Sequence, residues 1–408
     1  METIKIINYV IMVIFFACYA YQFFYIPDAL LKKKKQPSSE GTPHRFAVLI
    51  AARNEEAVIG NLIDSLKRQT YPAERFAIYV VADNCTDRTA DVAHEHGAKV
   101  VRRFDRNRIG KGFALHYLLR RIKKQYDAYL VFDADNVVDP NYIREINKTF
   151  SDGYDIVTSY RNSKNYGDNW ISAGYGLWFL REAQYLNRPR ALLGASCGVS
   201  GTGLLFSRRI LEQCGGWNFF LLTEDIEFTA HNIIGGEKIG YCPTAVFYDE
   251  QPTGFRPSVR QRVRWVQGYL QVLRCYGGRL LKGCFRGSFS CFDMLMNIAP
   301  AAILAWVSVL INLFSAVVCF ANGAAVLTVV SSVGQSLLNL CLTVFVLGLI
   351  TTLSEWRQIR CSTGRKLLSV LTFPLFMLTY LPVTVAALVC KSGWKPIEHR
   401  KSVSVQDL

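Results

Sequence analysis

The chain has 408 residues, half of them apolar, and a formal net charge of +15. This length accommodates one sizeable soluble core plus several membrane helices, but it is short for three ordinary domains. Much of the positive charge flanks apolar segments and no nucleic-acid motif accompanies it, which favours a membrane surface or an anionic substrate over nucleic acid. The 12 cysteines form no CxxC pair, which argues against a zinc site and a disulfide framework.

The N-terminal segment is the first long stretch without a formal charge. It runs from Ile6 to Pro27, and four consecutive lysines follow at 32–35. A cleaved signal peptide carries its charges before its apolar core, so this order favours a membrane anchor. The positive-inside rule places the lysines in the cytoplasm and Met1 on the other side. We therefore predict an N-terminal membrane anchor over residues 1–35.

Short apolar runs alternate with longer periodic segments in the next part of the chain, residues 36–254. The short runs predict strands at residues 46–52, 76–83, 99–102, 128–135 and 155–160. The periodic segments predict helices at residues 55–69, 86–94 and 111–124. This alternation predicts an α/β domain with a mostly parallel, Rossmann-like sheet and helices on both of its faces.

Polar residues follow three of the predicted strands. Asn54 and Glu55 come after the first, Asp83 ends the second, and Asp133 and Asp135 close the fourth. Sheets of this kind bind ligands beyond the carboxyl ends of their strands, so these residues are candidates for a site. No GxGxxG follows the first strand and no P-loop sequence occurs, which argues against a dinucleotide oxidoreductase and a P-loop ATPase.

The two aspartates of the fourth strand have the spacing of a metal and diphosphate motif. Asp133 and Asp135 stand two positions apart and point the same way if the chain is extended. Mg²⁺ and Mn²⁺ take oxygen ligands and leave coordination positions for substrate phosphates, so the pair can bridge a metal to a diphosphate. A solvated turn is the alternative explanation for so short a motif.

Two further motifs lie towards the end of the soluble part. Glu224 and Asp225 open a predicted helix, where an acid can stabilise the helix N-terminus or act as a general base. In the sequence 261–265, Arg264 can stabilise charge on a leaving diphosphate and Trp265 offers a platform for a sugar ring. The valines and leucines around this motif alternate with Arg260, Arg262 and Arg274, which also predicts an interfacial basic helix.

The C-terminal part, residues 293–408, is again apolar. Residues 294–354 carry no formal charge and can form two helices of about 20 residues each, with a turn near Asn322. Residues 367–390 supply another candidate, which Pro374 and Pro382 can bend into a re-entrant shape. Strict alternation of crossings would put residues 394–408 outside, whereas the basic residues around them favour the cytoplasm, so both topologies stay open.

Taken in order, these motifs resemble those of processive family-2 glycosyltransferases. This group contains the cellulose, chitin, hyaluronan and poly-N-acetylglucosamine synthases. The resemblance covers about residues 46–269 and rests on Asp83, Asp133 with Asp135, Thr223 to Asp225, and Gln261 to Trp265. It implies a GT-A-type fold flanked by transmembrane and interfacial helices, with the interfacial part at residues 255–292.

The resemblance also implies roles for individual residues. The implied donor-nucleotide residues are Asn54, Glu55, Asp83, Lys111, Asp133 and Asp135, the last two also as metal ligands. The implied catalytic residues are Asp225, as the base, with Glu224 and Arg264. The implied acceptor-binding residues are Gly198, Ser200, Gly201, Thr202, Gln261 and Trp265. Ala82 departs from the family pattern, because relatives often have a second acid there, and this weakens the assignment of base contacts.

The function implied by the resemblance is an inverting, metal-dependent hexosyltransferase in the cell membrane. It would cross the membrane several times, keep its catalytic domain in the cytoplasm, and use Mg²⁺ or Mn²⁺. It would transfer glucose or N-acetylglucosamine from a UDP-sugar to a growing β-linked polysaccharide, which it would also translocate. Transfer of one sugar to a lipid acceptor is the alternative. An inactive scaffold or a transporter is disfavoured, since the candidate acids are present and no internal repeat occurs.

Overall fold

The computed structural model describes residues 2–32, 41–298 and 326–390, together with isolated positions between 310 and 317. Its strands are β1 (Phe46–Ala52), β2 (Phe76–Asp83), β3 (Lys99–Arg103), β4 (Ala128–Asp133), β5 (Val137–Val138), β6 (Ile156–Ser163), β7 (Leu204–Ser207) and β8 (Ile239–Asp249). Its first helices are α1 (Glu2–Leu31), α2 (Ile59–Lys67), α3 (Thr89–Glu95), α4 (Lys111–Leu119), α5 (Tyr142–Ser151), α6 (Trp170–Glu182) and α7 (Arg188–Leu192). The remaining helices are α8 (Arg208–Gln213), α9 (Glu224–Ile234), α10 (Phe255–Phe285), α11 (Phe289–Ile298), α12 (Val326–Ser354), α13 (Thr363–Leu378) and α14 (Tyr380–Val389).

All eight strands form one sheet in the order β3-β2-β1-β4-β7-β6-β8-β5. The pairs β1–β2, β1–β4, β2–β3 and β6–β8 are parallel, whereas β7 runs antiparallel to both of its neighbours and β5 runs antiparallel to β8. The predicted α/β fold with a mostly parallel sheet is therefore confirmed. Because β1, β2 and β4 are parallel neighbours, their carboxyl ends meet at one edge of the sheet.

Each face of the sheet has its own apolar core. Along β1, Ala47 and Leu49 pack into one core while Phe46, Val48 and Ile50 pack into the other, as the two-residue period of a strand requires. Both faces are covered by helices, so β1 is buried almost throughout. This explains why the strand reads as a continuous apolar run rather than as an alternating one.

Two predicted helices begin later than expected because a loop after each strand holds the chain in a turn. α2 begins at Ile59 rather than at residue 55, since Asn54 has a left-handed backbone (φ 57°) at the end of β1. α3 begins at Thr89, where Asp87 accepts the backbone N–H of Thr89 at 3.0 Å. Thr86, where the predicted helix starts, lies in the preceding turn, and its backbone N–H donates to Asn54 Oδ1 at 2.8 Å.

Two apolar segments in the described part of the chain are long enough to cross a membrane, 337–354 and 363–389. The second is interrupted at Thr379, between Pro374 and Pro382, where α13 ends and α14 begins. α1 forms a single helix over the predicted anchor. Three features of the sequence analysis lie outside the described residues: the expected turn near Asn322, lysines 33–35 and the tail from residue 394.

α10 continues for 31 residues and carries the 261–265 motif in its first half. Val263 packs against Val383 and Ala387 of α14, so the predicted apolar stripe contacts protein. The expectation that Arg262 belongs to the exposed basic face was wrong. Arg262 is buried, its Nη1 donates to Thr379 Oγ1 at 2.5 Å, and its guanidinium lies 4.6 Å from the centre of the Phe376 ring.

Candidate active site

The carboxyl ends of β1, β2 and β4 open into a cavity of about 540 Å³. This volume is within the range of small-ligand sites. The cavity is lined by the sheet edge, the loop 198–201, the start of α9 and part of α10. Its lining also includes residues of α11, α12, α13 and α14. We call its sheet side the donor end, defined by Asp83, Lys111, Asp133 and Asp135. We call its other side the apolar end, defined by Met294, Ile298, Leu340, Met377 and Leu381.

The predicted pair of aspartates lies in the wall of the donor end. Asp133 is the last residue of β4, and its carboxylate forms an ion pair with the ammonium of Lys111. Lys111 also donates to the carbonyl of Gly201 at 2.7 Å. Asp135 lies after the strand, is buried, and accepts the backbone N–H of Glu250 at 2.9 Å. The chain therefore turns between the two carboxylates, but both still reach the cavity.

These carboxylates fit the role of metal ligands. The side chain of Asp133 is 41% exposed, so it can take a ligand in addition to Lys111. Within residues 2–32, 41–298 and 326–390, no cluster of three or more His, Cys, Asp or Glu side chains has the geometry to hold a metal ion. Mg²⁺ and Mn²⁺ fit the pair nevertheless, since such ions are often held by one or two carboxylates together with substrate phosphates and water.

Asp83 lies at the other edge of the donor end. It is buried and forms an ion pair with Arg103 at 2.5 Å, and Asn84 donates to the same carboxylate oxygen at 3.0 Å. Burial raises the pKa of Asp83, although Arg103 opposes this shift. Glu55 lines the cavity as well. Asn54 instead shapes the neighbouring turn through its hydrogen bonds to Thr86.

Glu224 and Asp225 form the first turn of α9, next to the donor end. Burial raises the pKa of both carboxyl groups, and the negative charge of Asp225 raises that of Glu224 further. Lys111 opposes these shifts; its own pKa is raised because Asp133 and Glu224 outweigh the effect of burial on the ammonium. A carboxylate with a raised pKa accepts a proton more readily, as a general base must.

Gly201 brings the backbone of the loop 198–201 close to Asp225. Its φ of +77° is in the left-handed region, and an added Cβ atom would lie 3.6 Å from Asp225 Oδ2. Gly198 and Ser200 line the same wall. Thr202 does not: it is buried, its hydroxyl donates to Asn136 and accepts the backbone N–H of Asp133 at 3.0 Å. Thr202 therefore positions the end of β4.

The 261–265 motif faces the middle of the cavity. Gln261, Arg264 and Trp265 all line it. Gln261 Oε1 is buried and has no hydrogen-bond partner among the described residues. Arg264 donates from Nη1 to the carbonyl of Leu222 at 3.2 Å, and Trp265 packs edge-to-face against Tyr175 with ring centres 5.7 Å apart. The first contact holds the motif against the loop that leads into Asp225, and the second holds it against α6.

Several charged residues of the wall were missed by the sequence analysis. Among them are Arg161, Glu182 and Asp249. Arg161 and Asp249 lie at the carboxyl ends of β6 and β8 and form an ion pair, but the predicted strand stopped at residue 160 and β8 was not predicted. Glu182 ends the apolar helix α6, and a carboxylate in such a helix was a signal that could have indicated it.

The comparison with known proteins decides the family. Residues 43–268 match the model of "Glycosyltransferase like family 2", which is more than half of the chain. The chain belongs to this family. The resemblance seen in the sequence and the GT-A-type α/β fold are therefore confirmed.

Individual relatives of this glycosyltransferase differ in their products. The chain is 30% identical to a beta-monoglucosyldiacylglycerol synthase of Synechocystis sp. over 233 residues, 56% of this chain and 48% of the relative. It is 28% identical to a poly-beta-1,6-N-acetyl-D-glucosamine synthase of Staphylococcus epidermidis over 252 residues, 60% of this chain and 58% of the relative. The chain thus spans about half the length of the curated relatives it matches.

One solved structure is similar over nearly the whole chain. It is the mannosyltransferase PcManGT of Pyrobaculum calidifontis, in complex with GDP-Man and Mn²⁺. The TM-score is 0.59, and the match covers 93% of this glycosyltransferase and 98% of the mannosyltransferase. At 15% sequence identity, this similarity shows the fold alone.

Proposed function

We propose that this glycosyltransferase transfers a hexose or N-acetylhexosamine from a UDP-sugar to a hydroxyl group of a lipid-bound acceptor in the membrane. The observation that carries the proposal is the single cavity with two unlike ends. Asp133 and Asp135 mark the donor end, whereas apolar side chains of α11 to α14 form the apolar end. Asp225 lines the same cavity within range of the charges of Lys111 and Arg264, where a donor and an acceptor would meet.

The chemistry follows from the charges around Asp225. Its carboxylate takes the proton of the acceptor hydroxyl, the hydroxyl oxygen bonds to the anomeric carbon, and the bond from that carbon to the diphosphate oxygen breaks. Lys111 and Arg264 lie beside the carboxylates of this region and would stabilise the negative charge that develops on the departing diphosphate. One displacement inverts the configuration, so an α-linked donor yields a β-glycoside.

A divalent metal fits the donor end of this scheme. Asp133 and Asp135 would hold Mg²⁺ or Mn²⁺, which would neutralise part of the diphosphate charge when bound. Support comes from the two carboxylates at the end of β4 and from the Mn²⁺ in the similar mannosyltransferase structure. Asp83, Asn54 and Glu55 lie where the nucleoside of the donor would be expected.

The lipid-bound acceptor is favoured by the composition of the apolar end. Met294 and Ile298 of α11 line the cavity together with Met377 and Leu381 of the α13–α14 segment, so an apolar tail would find apolar partners there. Burying such surface stabilises a complex by about 25 cal/mol per Å². The similarity to beta-monoglucosyldiacylglycerol synthases points the same way.

Synthesis of a β-linked polysaccharide is the second candidate function. It is supported by the position of Gln261 and Trp265 in the cavity wall and by the similarity to poly-beta-1,6-N-acetyl-D-glucosamine synthase. Both candidates place the protein in the cell membrane with its catalytic domain in the cytoplasm. The two apolar helical segments and the exposed Arg260 and Arg274 of α10 support that location.

The products distinguish the two candidates. Membranes containing the full chain would be incubated with labelled UDP-glucose, UDP-N-acetylglucosamine or GDP-mannose, one at a time. Label that extracts with lipid and carries one added sugar supports the lipid acceptor. High-molecular-weight product sensitive to a linkage-specific glycosidase supports the polymer instead. Absence of transfer from all three donors, with Asp225→Asn as the inactive control, would refute glycosyl transfer by this chain.

A further inference from the structure

Glu182 is a carboxylate in the cavity wall for which the reaction scheme has no role. It is the last residue of α6 and lies in the same cavity as Asp225. No hydrogen bond or ion pair joins its carboxylate to any residue in the part of the chain that the structure describes. Burial raises the pKa of Glu182, and the nearby charge of Asp225 adds to this. Glu182 is only half-buried and lines the cavity, so a ligand in the cavity can supply the hydrogen-bond donor that the surrounding protein does not.

The cations around Glu182 are engaged elsewhere. Arg161 donates to Asp249 Oδ2 from Nε at 2.7 Å and to the carbonyl of Ser200 at 3.2 Å. Its guanidinium also lies 3.5 Å from the centre of the Phe179 ring, which fixes its plane. Arg161 therefore cannot turn to Glu182 without losing these contacts.

Two other arginines whose charge acts on Glu182 are committed as well. Arg181 donates to Gln22 of α1 at 3.2 Å. Arg190 forms a buried two-point ion pair with Asp293, at 2.5 Å and 3.1 Å. The positive charges of these arginines stabilise the ionised carboxylate of Glu182, but none of the three donates a hydrogen bond to it.

The surroundings of Glu182 are those of a sugar subsite. Trp178 stands one helical turn earlier on α6 and lines the same cavity, while Tyr269 approaches from α10. Aromatic rings bind the apolar faces of sugars, and carboxylates accept hydrogen bonds from their hydroxyls. The chain continues after Glu182 as a π-helical turn, Ala183–Asn187, a feature that is frequent at functional sites.

We propose that Glu182 accepts a hydrogen bond from a second hydroxyl of the acceptor head group, next to the hydroxyl that Asp225 deprotonates. The acceptor would then have a sugar-like head with several hydroxyls, rather than the single hydroxyl of diacylglycerol. This inference rests on the proposed transfer to an acceptor hydroxyl. Glu182 is a specificity-determining residue, because it selects the acceptor without touching the bond that breaks.

The test compares two acceptor probes. The full chain in lipid nanodiscs would receive dodecyl β-glucoside or 1,2-dioctanoylglycerol, with the donor that wild type uses. We expect wild type to prefer the glucoside in kcat/KM by about tenfold or more, the value of one hydrogen bond to a charged group. Glu182→Gln should lose most of this preference through a higher KM for the glucoside, with the rate on dioctanoylglycerol within about twofold.

Controls separate this result from misfolding. Glu212→Gln, on exposed α8, should keep the wild-type preference, and UDP binding should be equal in all variants. If Glu182→Gln does not fold, Glu182→Asp retracts the carboxylate and should raise the KM for the glucoside alone. A wild-type preference for dioctanoylglycerol, or an equal loss on both probes, overturns the inference. No transfer to either probe by wild type with UDP binding intact would instead reject the proposed function.

Discussion

Replacing Asp225 by asparagine tests the central step of the proposed reaction. Asparagine has the same shape, so the first turn of α9 and its contact with Gly201 should persist, and only the proton acceptor is lost. A positioned general base contributes about 10²–10⁴-fold to a rate. We therefore expect kcat to fall by this factor, which corresponds to about 3–5 kcal/mol in the activation free energy.

The assay measures kcat and UDP binding, and the substitution should change only kcat for the worse. Release of nucleoside diphosphate in the presence of acceptor reports kcat, and titration calorimetry with UDP reports donor-site integrity. Asp225→Asn removes a negative charge near the donor end, so UDP should bind as well as or better than to wild type. A kcat within tenfold of wild type, or weaker UDP binding that accounts for the loss, would refute the assignment of the base.

The same variant tests the direction in which activity changes with pH. Burial raises the pKa of Asp225, and the group acts only when ionised. Activity of wild type should therefore fall as the pH drops through this raised pKa, at a higher pH than an exposed aspartate would give. Asp225→Asn should lack this acidic limb. A limb that persists unchanged in the variant would belong to another group.

Three further predictions concern the metal, Arg264 and the buried Gly203. EDTA should abolish transfer and Mn²⁺ or Mg²⁺ should restore it, whereas Asp133→Asn should need more metal for half-maximal rate. Arg264→Gln should lower kcat by about 10²–10³-fold with a smaller effect on UDP affinity, measured by the same calorimetry. Gly203→Ala should lower the free energy of unfolding by about 2–5 kcal/mol, since φ is +64° and the new Cβ would lie 2.3 Å from Phe247. Gly236→Ala, with φ +86° and open space, should cost only about 1–2 kcal/mol in the same denaturant titration.

The donor end was predictable because local sequence alone encodes it. β1 and β2 are continuous apolar runs that end in polar residues, and their predicted bounds agree with the structure. Parallel neighbours must place such ends side by side, so Asp83 and Asp133 meet at one edge without any knowledge of the rest of the chain. The fold class followed from the same alternation.

The acceptor side was less predictable because it depends on contacts between distant segments. β8 contains Pro243, and its pairing with β6 shifts register between Ser159 and Tyr160, which breaks the two-residue pattern. Arg262 occupies a position on α10 that the helical period predicts to be exposed. It is instead covered by the α13–α14 segment, which follows more than 100 positions later in the chain. The role proposed for Glu182 likewise depends on the cavity around it, which the local sequence does not encode.

The loop 198–201 is tied to the N-terminal helix by a network of hydrogen bonds and an ion pair. Asn187 Oδ1 accepts the backbone N–H of Gly198 at 2.9 Å and lies 3.4 Å from Arg190 Nη1. Arg190 is paired with Asp293 of α11, whose other partner is the hydroxyl of Tyr21 in α1 at 2.6 Å. Breaking a buried ion pair of this kind costs about 3–5 kcal/mol, because one charge is left uncompensated. The position of Gly198 therefore depends on the docking of α1, which makes the predicted anchor a structural support of the proposed acceptor site.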